Sequence, residues 1–462
     1  MRRTKIVATI GPSCDAPGVL VRMFAAGVDV ARLNASHATV EELDRRLAAV
    51  RAQALNAGRV VGVLLDLPGP KLRVGEIAPG TVLVDGAEFR LVSGVCDGDA
   101  DRACVTHESL ADDVAPGDRI LLDDGALELL VIGSEGRTVV TRVVHGGALA
   151  SHKGVNVPDV RLSVDGVTPH DLDLLAWGLD AGVDLVAQSF VRSAGDVERL
   201  RAAMGERACP IVAKIEKHEA LADLDAIVGA ADAVMVARGD LAVETSPEAV
   251  PPAQRTIIAA CRVAGKPVVV ATQMLESMTS APRPTRAEAS DVATAVFEGA
   301  DAVMLSEETA VGSYPVEAVE TMDRVCRSAE ESGPAETEGL SAGLPASPVA
   351  AAAVDLARDT CASAIITATK SGATARAVAQ LRPSQPVLAL TSHDVVARRL
   401  AVVWGVLPVA GTQGTTIEET TEQALHAART SGIAHAGDRV VLTAGTAVGV
   451  SGSSDLIRVL VV

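Results

Sequence analysis

Charged and hydroxyl side chains gather at the ends of short apolar runs, and those ends are where chemistry is to be sought. The run at 28–33 leads into Asn34-Ala35-Ser36-His37 and carries Arg32. The run at 60–65 leads into Asp66-Leu67-Pro68-Gly69-Pro70-Lys71-Leu72-Arg73. Further along come Gln188-Ser189-Phe190-Val191-Arg192, Lys214-Ile215-Glu216-Lys217, Arg238-Gly239-Asp240, Thr272-Gln273 and Ser306-Glu307-Glu308. Charges closing otherwise apolar strands are costly unless paired or bound to a ligand. The pattern predicts a site for an anion and a metal. Lys214 and Glu216 stand two apart, so on a strand they share a face. A lone Lys-x-Glu suits a structural ion pair as well. Asp240 would join Glu216 in a two-carboxylate Mg²⁺ site; it equally suits a helix N-cap, and the two roles are compatible.

The elements that position these residues are legible. The runs at 5–10, 28–33, 60–65, 183–190, 211–215, 233–237, 267–271 and 302–305 are apolar on both faces, as buried parallel strands are. Amphipathic segments separate them. In the first, Val40, Leu43, Leu47, Val50 and Ala54 fall at helical spacing, with Gly58 as a C′ stop. Eight strands alternating with helices predict a (β/α)8 TIM barrel, whose active face lies at the strands' C-terminal ends. An open doubly wound sheet is the alternative. Between the third and fourth strands the pattern changes. Residues 81–84, 87–92, 119–122, 127–131 and 138–144 alternate between turn signals such as Asp123-Asp124-Gly125. This predicts an inserted all-β lid domain over the active face. Residues 330–347, rich in Gly, Ser, Pro and Glu, read as a linker. Strands at 363–369, 386–391, 439–443 and 456–461 then predict an α/β domain. The expected organisation is barrel at 1–70 and 158–330, lid at 71–157, and C-terminal α/β domain at 345–462.

Composition narrows the function. The 462 residues suit about three domains. A net charge of −18 argues against nucleic acid and anionic membranes as partners. Aromatics at 2% argue against single-strand stacking platforms. Seven cysteines without a C-x-x-C pair predict neither a disulfide framework nor structural zinc. The N-terminal residues lack a signal-peptide apolar region, and no run is long enough to span a bilayer. The expected location is cytoplasmic.

Several stretches are long enough to be specific: Arg3-Thr4-Lys5-Ile6-Val7-Ala8-Thr9-Ile10-Gly11-Pro12, residues 29–37 and 214–218, Met235-Val236-Ala237-Arg238-Gly239-Asp240-Leu241, Ala271-Thr272-Gln273-Met274-Leu275-Glu276-Ser277-Met278, and Pro282-Arg283-Pro284-Thr285-Arg286-Ala287-Glu288. In them, and in order over nearly the whole length, the chain resembles the pyruvate kinases. The resemblance implies phosphoryl transfer from phosphoenolpyruvate to ADP, giving pyruvate and ATP. It implies that Glu216 and Asp240 bind Mg²⁺ (or Mn²⁺), that Lys214 stabilises the transferring phosphoryl group, and that Arg32 contacts the phosphate. Gly239 and Thr272 match positions holding the substrate carboxylate. Arg73 and Lys153 match nucleotide-contacting positions at the two seams of the lid. Thr272 and Ser306 lie near the site where the enolate takes its proton. The family is usually tetrameric.

One departure is informative. In the potassium-dependent branch, Asn34, Ser36, Asp66 and the carbonyl of Leu67 would hold a monovalent cation, and the run after the aspartate is Thr-Lys-Gly-Pro-Glu. Here the run is Leu67-Pro68-Gly69-Pro70-Lys71, which resembles the potassium-independent branch. A tethered ammonium at Lys71 would supply the cation's charge without a translational entropy cost and would repel added K⁺. The alternative is a surface lysine at the lid hinge. Glu307 stands where the family usually has glycine.

Other features are weaker. His37 reads as packing, His170 and His218 as surface or capping residues, and Met274 and Met278 as core. The loop with Thr369, Lys370, Ser371, Gly372 and Thr374 suits a phosphate-binding turn for a phosphorylated effector, or a plain helix start capped by Ser371. The later loop at 443–452 lacks the arginine some relatives use, favouring a monophosphate effector such as AMP or a hexose phosphate over fructose 1,6-bisphosphate. Competing functions are a Mg²⁺-dependent barrel lyase or aldolase acting on a pyruvate-like substrate, and a catalytically silent paralogue that only binds effectors.

Overall fold

Eight parallel strands close into a barrel in the computed structural model, which describes residues 1–36, 38–333, 347–411, 414, 416–445 and 454–462. The strands are β1 (Lys5–Thr9), β2 (Val30–Asn34), β3 (Gly62–Leu67), β4 (Leu185–Gln188), β5 (Ile211–Ile215), β6 (Ala233–Ala237), β7 (Val268–Ala271) and β8 (Ala302–Leu305). Each pairs with its neighbour in sequence, and β8 pairs back onto β1. The open-sheet alternative is therefore excluded.

Alternate residues along these strands enter two different cores. Val7, Val30, Leu64, Ala187, Val212, Met235, Val269 and Met304 pack in one cluster inside the barrel. Ala8, Ala31, Leu65, Val186, Ala213, Val234, Val270 and Val303 pack outward against the helices. A strand's period of two extends this alternation past the apolar stretch. Thr9, Arg32, Asn34, Asp66, Ser189, Lys214 and Glu216 therefore fall on the inward side of the mouth.

The first of the helices stops where expected. Helix Val40–Asn56 opens with a Thr39/Glu42 capping box and ends at Ala57, with Gly58 at φ +63° after it. Capping boxes also open Pro169–Ala181, from Thr168, and Arg286–Glu298, from Thr285. Each satisfies two otherwise orphaned backbone donors.

The insert after β3 is a seven-stranded sheet. Its order runs Leu72–Arg73, Gly154–Asn156, Arg119–Leu122, Leu127–Glu135, Thr138–His145, Glu88–Ser93 and Arg102–Val105. Phe89, Leu91, Ile120, Leu129, Val131 and Val139 fill its core. The entering and leaving strands pair antiparallel, Arg73 opposite Gly154. One expectation fails here: a disulfide joins Cys96 to Cys104, with Cα atoms 5.5 Å apart. Their separation of eight residues carries no motif; the turn before the strand Arg102–Val105 brings them together. Cys14, Cys209, Cys261 and Cys326 are buried thiols, and Cys361 is exposed.

The C-terminal region is a five-stranded sheet in the order Val406–Ala410, Val387–Thr391, Ala364–Ala368, Arg439–Gly445, Ser454–Val461. The last strand is antiparallel. Val406–Ala410 is absent from the sequence reading, because Pro408 demotes a run to an edge strand, and it is an edge strand. Among the described residues no helix is long and apolar enough to cross a membrane.

Candidate active site

The site begins with the strand register. Asn34 lies opposite Asp66 across β2 and β3, and Thr9 opposite Arg32 across β1 and β2. Arg32 Nε donates to Asp66 Oδ2 at 2.7 Å, and its Nη1 to Thr9 Oγ1 at 3.0 Å. Lys214 Nζ lies 3.3 Å from Asp66 Oδ1 and 2.9 Å from Glu216 Oε1, and donates to Ser189 Oγ at 2.6 Å. These groups are nearly sealed: Asp66 is 1% exposed, Glu216 1% and Lys214 9%. Lys214 and Glu216 thus form the structural ion pair as well as converging on the mouth.

Electrostatics follow from that burial. Burial opposes the charge on Lys214, yet Asp66 and Glu216 outweigh it and raise its pKa. Burial also opposes the Asp66 charge, and Lys214 with Arg32 reverses this, holding its carboxyl below the usual range. Glu216 moves the other way: burial first, then the negative charge of Asp240, raise its pKa despite Lys214. Asp240 thus acts on Glu216 as a nearby like charge. No cluster of three or more His, Cys, Asp or Glu suited to a metal occurs among the described residues.

Asp240 is not the N-cap. It sits in the first turn of Arg238–Glu244, whose N-cap is Ala237 without a side-chain bond. Lys71 is not a surface lysine. Its ammonium lies 3.0 Å from Asp240 Oδ1, 3.9 Å from Asp124 Oδ1 and 6.0 Å from the centre of the Phe190 ring. It therefore reaches the acidic side of the mouth. At the expected monovalent-cation positions, Asn34 Oδ1 accepts from the Ser36 amide at 3.2 Å, and the Leu67 carbonyl accepts from Ser189 Oγ at 2.8 Å.

Strained backbone also occurs at the mouth. Phe190, Thr272 and Gln273 take φ of +55°, +68° and +54°, costing of order 1–3 kcal/mol each. Glu216 Oε2 holds Phe190 by its amide at 2.7 Å. Arg238 holds Thr272 by its carbonyl at 2.6 Å and is itself anchored on Asp291 at 2.7 Å. Thr272 Oγ1 accepts from the Gly239 amide at 2.9 Å, so those two residues are adjacent. Ser306 Oγ is buried without a partner, while its amide donates to Glu308 Oε2 at 2.6 Å. Glu308, buried, also takes the Leu275 amide at 3.0 Å; Glu307 is exposed.

The insert meets the mouth at its seam. Arg73 Nη1 donates to the His152 carbonyl at 2.9 Å, and Lys153 pairs with Asp123 at 2.7 Å. Next to them, Asn156 Nδ2 donates to Glu244 Oε1 at 2.6 Å, and Lys217 pairs with the same oxygen at 2.8 Å. A cleft opens there. Sequence reasoning placed Ser189, Lys217, Arg238 and Glu308 at strand ends without assigning them partners, and it gave no role to Thr9, Asn156 or Glu244. Thr9 and Ser189 were within reach of the period-two pattern; the partners of the others carry no local signal.

Of the remaining residues, Met274 and Met278 are core, His170 is exposed and His218 opens a short helix beside Glu219. His37 and residues 446–452 of the second loop lie outside the described residues. Ser371 is not a cap: helix Ala373–Gln380 starts after Gly372, which is its N-cap at φ +81°. Thr369 Oγ1 accepts the Gly372 amide at 2.9 Å, and Thr374 Oγ1 bonds Ser454 Oγ at 2.6 Å.

Fold and site define a (β/α)8-barrel enzyme with a charged mouth beneath an inserted β domain. Residues 1–319 match the model of the pyruvate kinase barrel domain, and 347–460 that of the pyruvate kinase alpha/beta domain. Pyruvate kinase 2 of Synechocystis is 44% identical over all of this chain and 79% of its own length. The pyruvate kinase of Geobacillus stearothermophilus is 43% identical over all of this chain and 80% of its length; that of Mycobacterium intracellulare is 43% identical over 99% of this chain and 98% of its length. The chain belongs to the pyruvate kinase family and is a phosphotransferase.

Proposed function

We propose that the chain transfers the phosphoryl group of phosphoenolpyruvate to ADP, giving pyruvate and ATP, with Mg²⁺ or Mn²⁺ and without a need for K⁺. The observation that carries this is the buried Lys214, kept charged between Asp66 and Glu216 at the barrel mouth. Phosphoryl transfer depends mainly on positioning and charge stabilisation. Lys214 and Arg32 bind the phosphoryl oxygens and stabilise their charge as the bond to the enol oxygen breaks. Gly239 and Thr272 orient the substrate carboxylate, the Gly239 amide exchanging its bond to Thr272 for one to the ligand. Glu216 and Asp240 would hold the divalent ion, which would supply Lewis-acid stabilisation of phosphoryl charge. Arg73 and Lys153 bind the phosphates of ADP from the insert side and help to exclude water. The enolate then takes a proton on carbon. The unpartnered Ser306 hydroxyl and that of Thr272 suit the relay of that proton.

Lys71 takes the place of the monovalent cation, its ammonium near Asp240 adding fixed positive charge to the mouth. The loop from Thr369 through Lys370, Ser371 and Gly372 to Thr374 binds a phosphorylated effector such as AMP. The protein is a cytoplasmic homotetramer, with the domain limits set out in the sequence reading.

A lactate dehydrogenase-coupled assay with phosphoenolpyruvate, ADP and Mg²⁺ tests the reaction: pyruvate forms, and chelation of the metal abolishes it. Absence of pyruvate under these conditions sinks the proposal. In potassium-free buffer the wild type keeps its rate, whereas Lys71→Met loses activity and regains part of it on adding KCl. Strong activation of the wild type by KCl overturns the role given to Lys71.

A further inference from the structure

A second cluster of buried charge lies at the opposite end of the barrel. Helix Val250–Ala264 ends at Gly265 with φ +66°. A Cβ at Gly265 would stand 2.6 Å from the Gln380 side chain. The missing side chain thus lets helix Ala373–Gln380 of the C-terminal domain approach closely. This contact brings Arg262 and Lys266, on either side of Gly265, against Arg376, Gln380 and Arg382. Together with Asp301 these line a cleft at the boundary between the barrel and the C-terminal domain.

The charges around this cleft do not balance. Arg262, Lys266, Arg376 and Arg382 line it with a single carboxylate, Asp301, in a chain whose net charge is −18; Glu330 adds a further negative charge acting on Arg382. Asp301 is committed to Arg382 at 3.2 Å and to the Val268 amide at 3.0 Å. Lys266 is committed to the Ala231 carbonyl at 2.7 Å. Arg382 donates to the Gly299 carbonyl at 2.8 Å and lies 4.5 Å from the centre of the Trp404 ring, yet its Nη1 is buried without a partner. The Gln380 amide Nε2 is buried and unpartnered too. Asp232 and Arg399 also act on Arg376, with opposite signs. Asp232 is already held by Arg201 at 2.8 Å. Burial and the charge of Arg382 depress the Arg262 pKa, and Asp301 offsets this only in part. Buried donors without acceptors and like charges crowded together both cost free energy. A dianion removes both costs, and guanidinium forks match phosphate geometry.

We propose that this cleft binds a small phosphate monoester, bridging the barrel floor and the C-terminal domain at a place separate from the active site and from the loop Thr369–Thr374. The inference does not depend on the reaction assigned to the barrel mouth. Arg376 lies between the cleft and that loop, its Nη1 3.0 Å from where a Cβ on Gly372 would stand, so the test leaves Arg376 intact.

Isothermal titration of glycerol 3-phosphate, and separately of inorganic phosphate, into the full-length wild type, Arg262→Gln, Arg262→Lys and Lys370→Ala decides the matter. The wild type binds the monoester and gains thermal stability. Arg262→Gln weakens binding roughly tenfold or more, the effect of losing one charged hydrogen bond. Arg262→Lys recovers part of it, and Lys370→Ala keeps it. Equal affinity for both probes reassigns the cleft to free phosphate and overturns the monoester. No binding by the wild type, unchanged affinity in Arg262→Gln, or loss in Lys370→Ala alone overturns the site.

Discussion

The barrel buries charge at both ends, in opposite ways. At the mouth, Arg32, Lys71 and Lys214 stand against Asp66, Glu216 and Asp240. Three cations meet three carboxylates, and each charge has a partner within 3.3 Å. At the floor, four cations line the cleft with one carboxylate, Asp301, while Asp232 and Glu330 act from outside it. The mouth is balanced before anything binds, so its groups are held in place for a ligand that redistributes charge. The floor is unbalanced, so its groups favour whatever brings negative charge.

The comparison can be broken at the mouth first. Lys214→Met removes the cation shared by Asp66 and Glu216; kcat is expected to fall ~10²–10³-fold, the usual cost of one preorganised charge-stabilising donor. Steady-state kinetics on folded protein check this, and a loss confined to KM would remove Lys214 from the chemistry. At the seam beside the mouth, Glu244→Ala strands the buried Lys217 ammonium and frees Asn156. Stability is expected to fall by about 3–5 kcal/mol, read by denaturant unfolding. A loss below 1 kcal/mol would mean that water reaches Lys217.

The floor yields smaller effects with distinctive signs. Lys5 is buried there, donating to the Val406 carbonyl at 2.6 Å, with Asp29 at 4.0 Å. Burial lowers its pKa from 10.5 to about 8, Asp29 offsetting only part of this. The folded chain therefore releases a proton that the unfolded chain still holds between those values. Stability should rise with pH across that window, by up to about 1.4 kcal/mol per unit, with the full cost present below pH 8. Thermal unfolding from pH 7.5 to 10.5 should show this rise in the wild type and a flatter profile in Lys5→Met; parallel profiles would refute it. Smallest of all, Arg262→Met removes a cation from the unbalanced cleft and should leave stability within about 1 kcal/mol of the wild type, unchanged or raised. A large loss would show that the floor is paired after all.

The contrast also explains what could be read in advance. Lys214, Glu216, Arg32 and Asp66 were legible because a strand's alternation carries a side chain from an apolar interior to its mouth without any tertiary knowledge. Gly58 was legible for a similar reason: a helix stop is local. Lys71 was flagged by its type, but its partner Asp240 lies 169 residues away, and no local rule names it. Arg238 and Glu308 act on backbone groups of neighbouring loops, and the cleft at the floor exists only once two domains pack. Cys96 and Cys104 meet through a turn with no spacing signature, and Pro408 hid an edge strand. Interactions set by long-range packing were those missed.

The pairing of Arg73 with Gly154 gives the insert one further property. Its first and last strands leave the barrel side by side, so some eighty residues hang from a gap hardly wider than a tight turn. To the barrel, that whole excursion resembles a hairpin. Its size then adds little to the entropy of joining β3 to β4, which leaves the excursion free to lengthen, shrink or change its rim across evolutionary time without disturbing the ring of strands below.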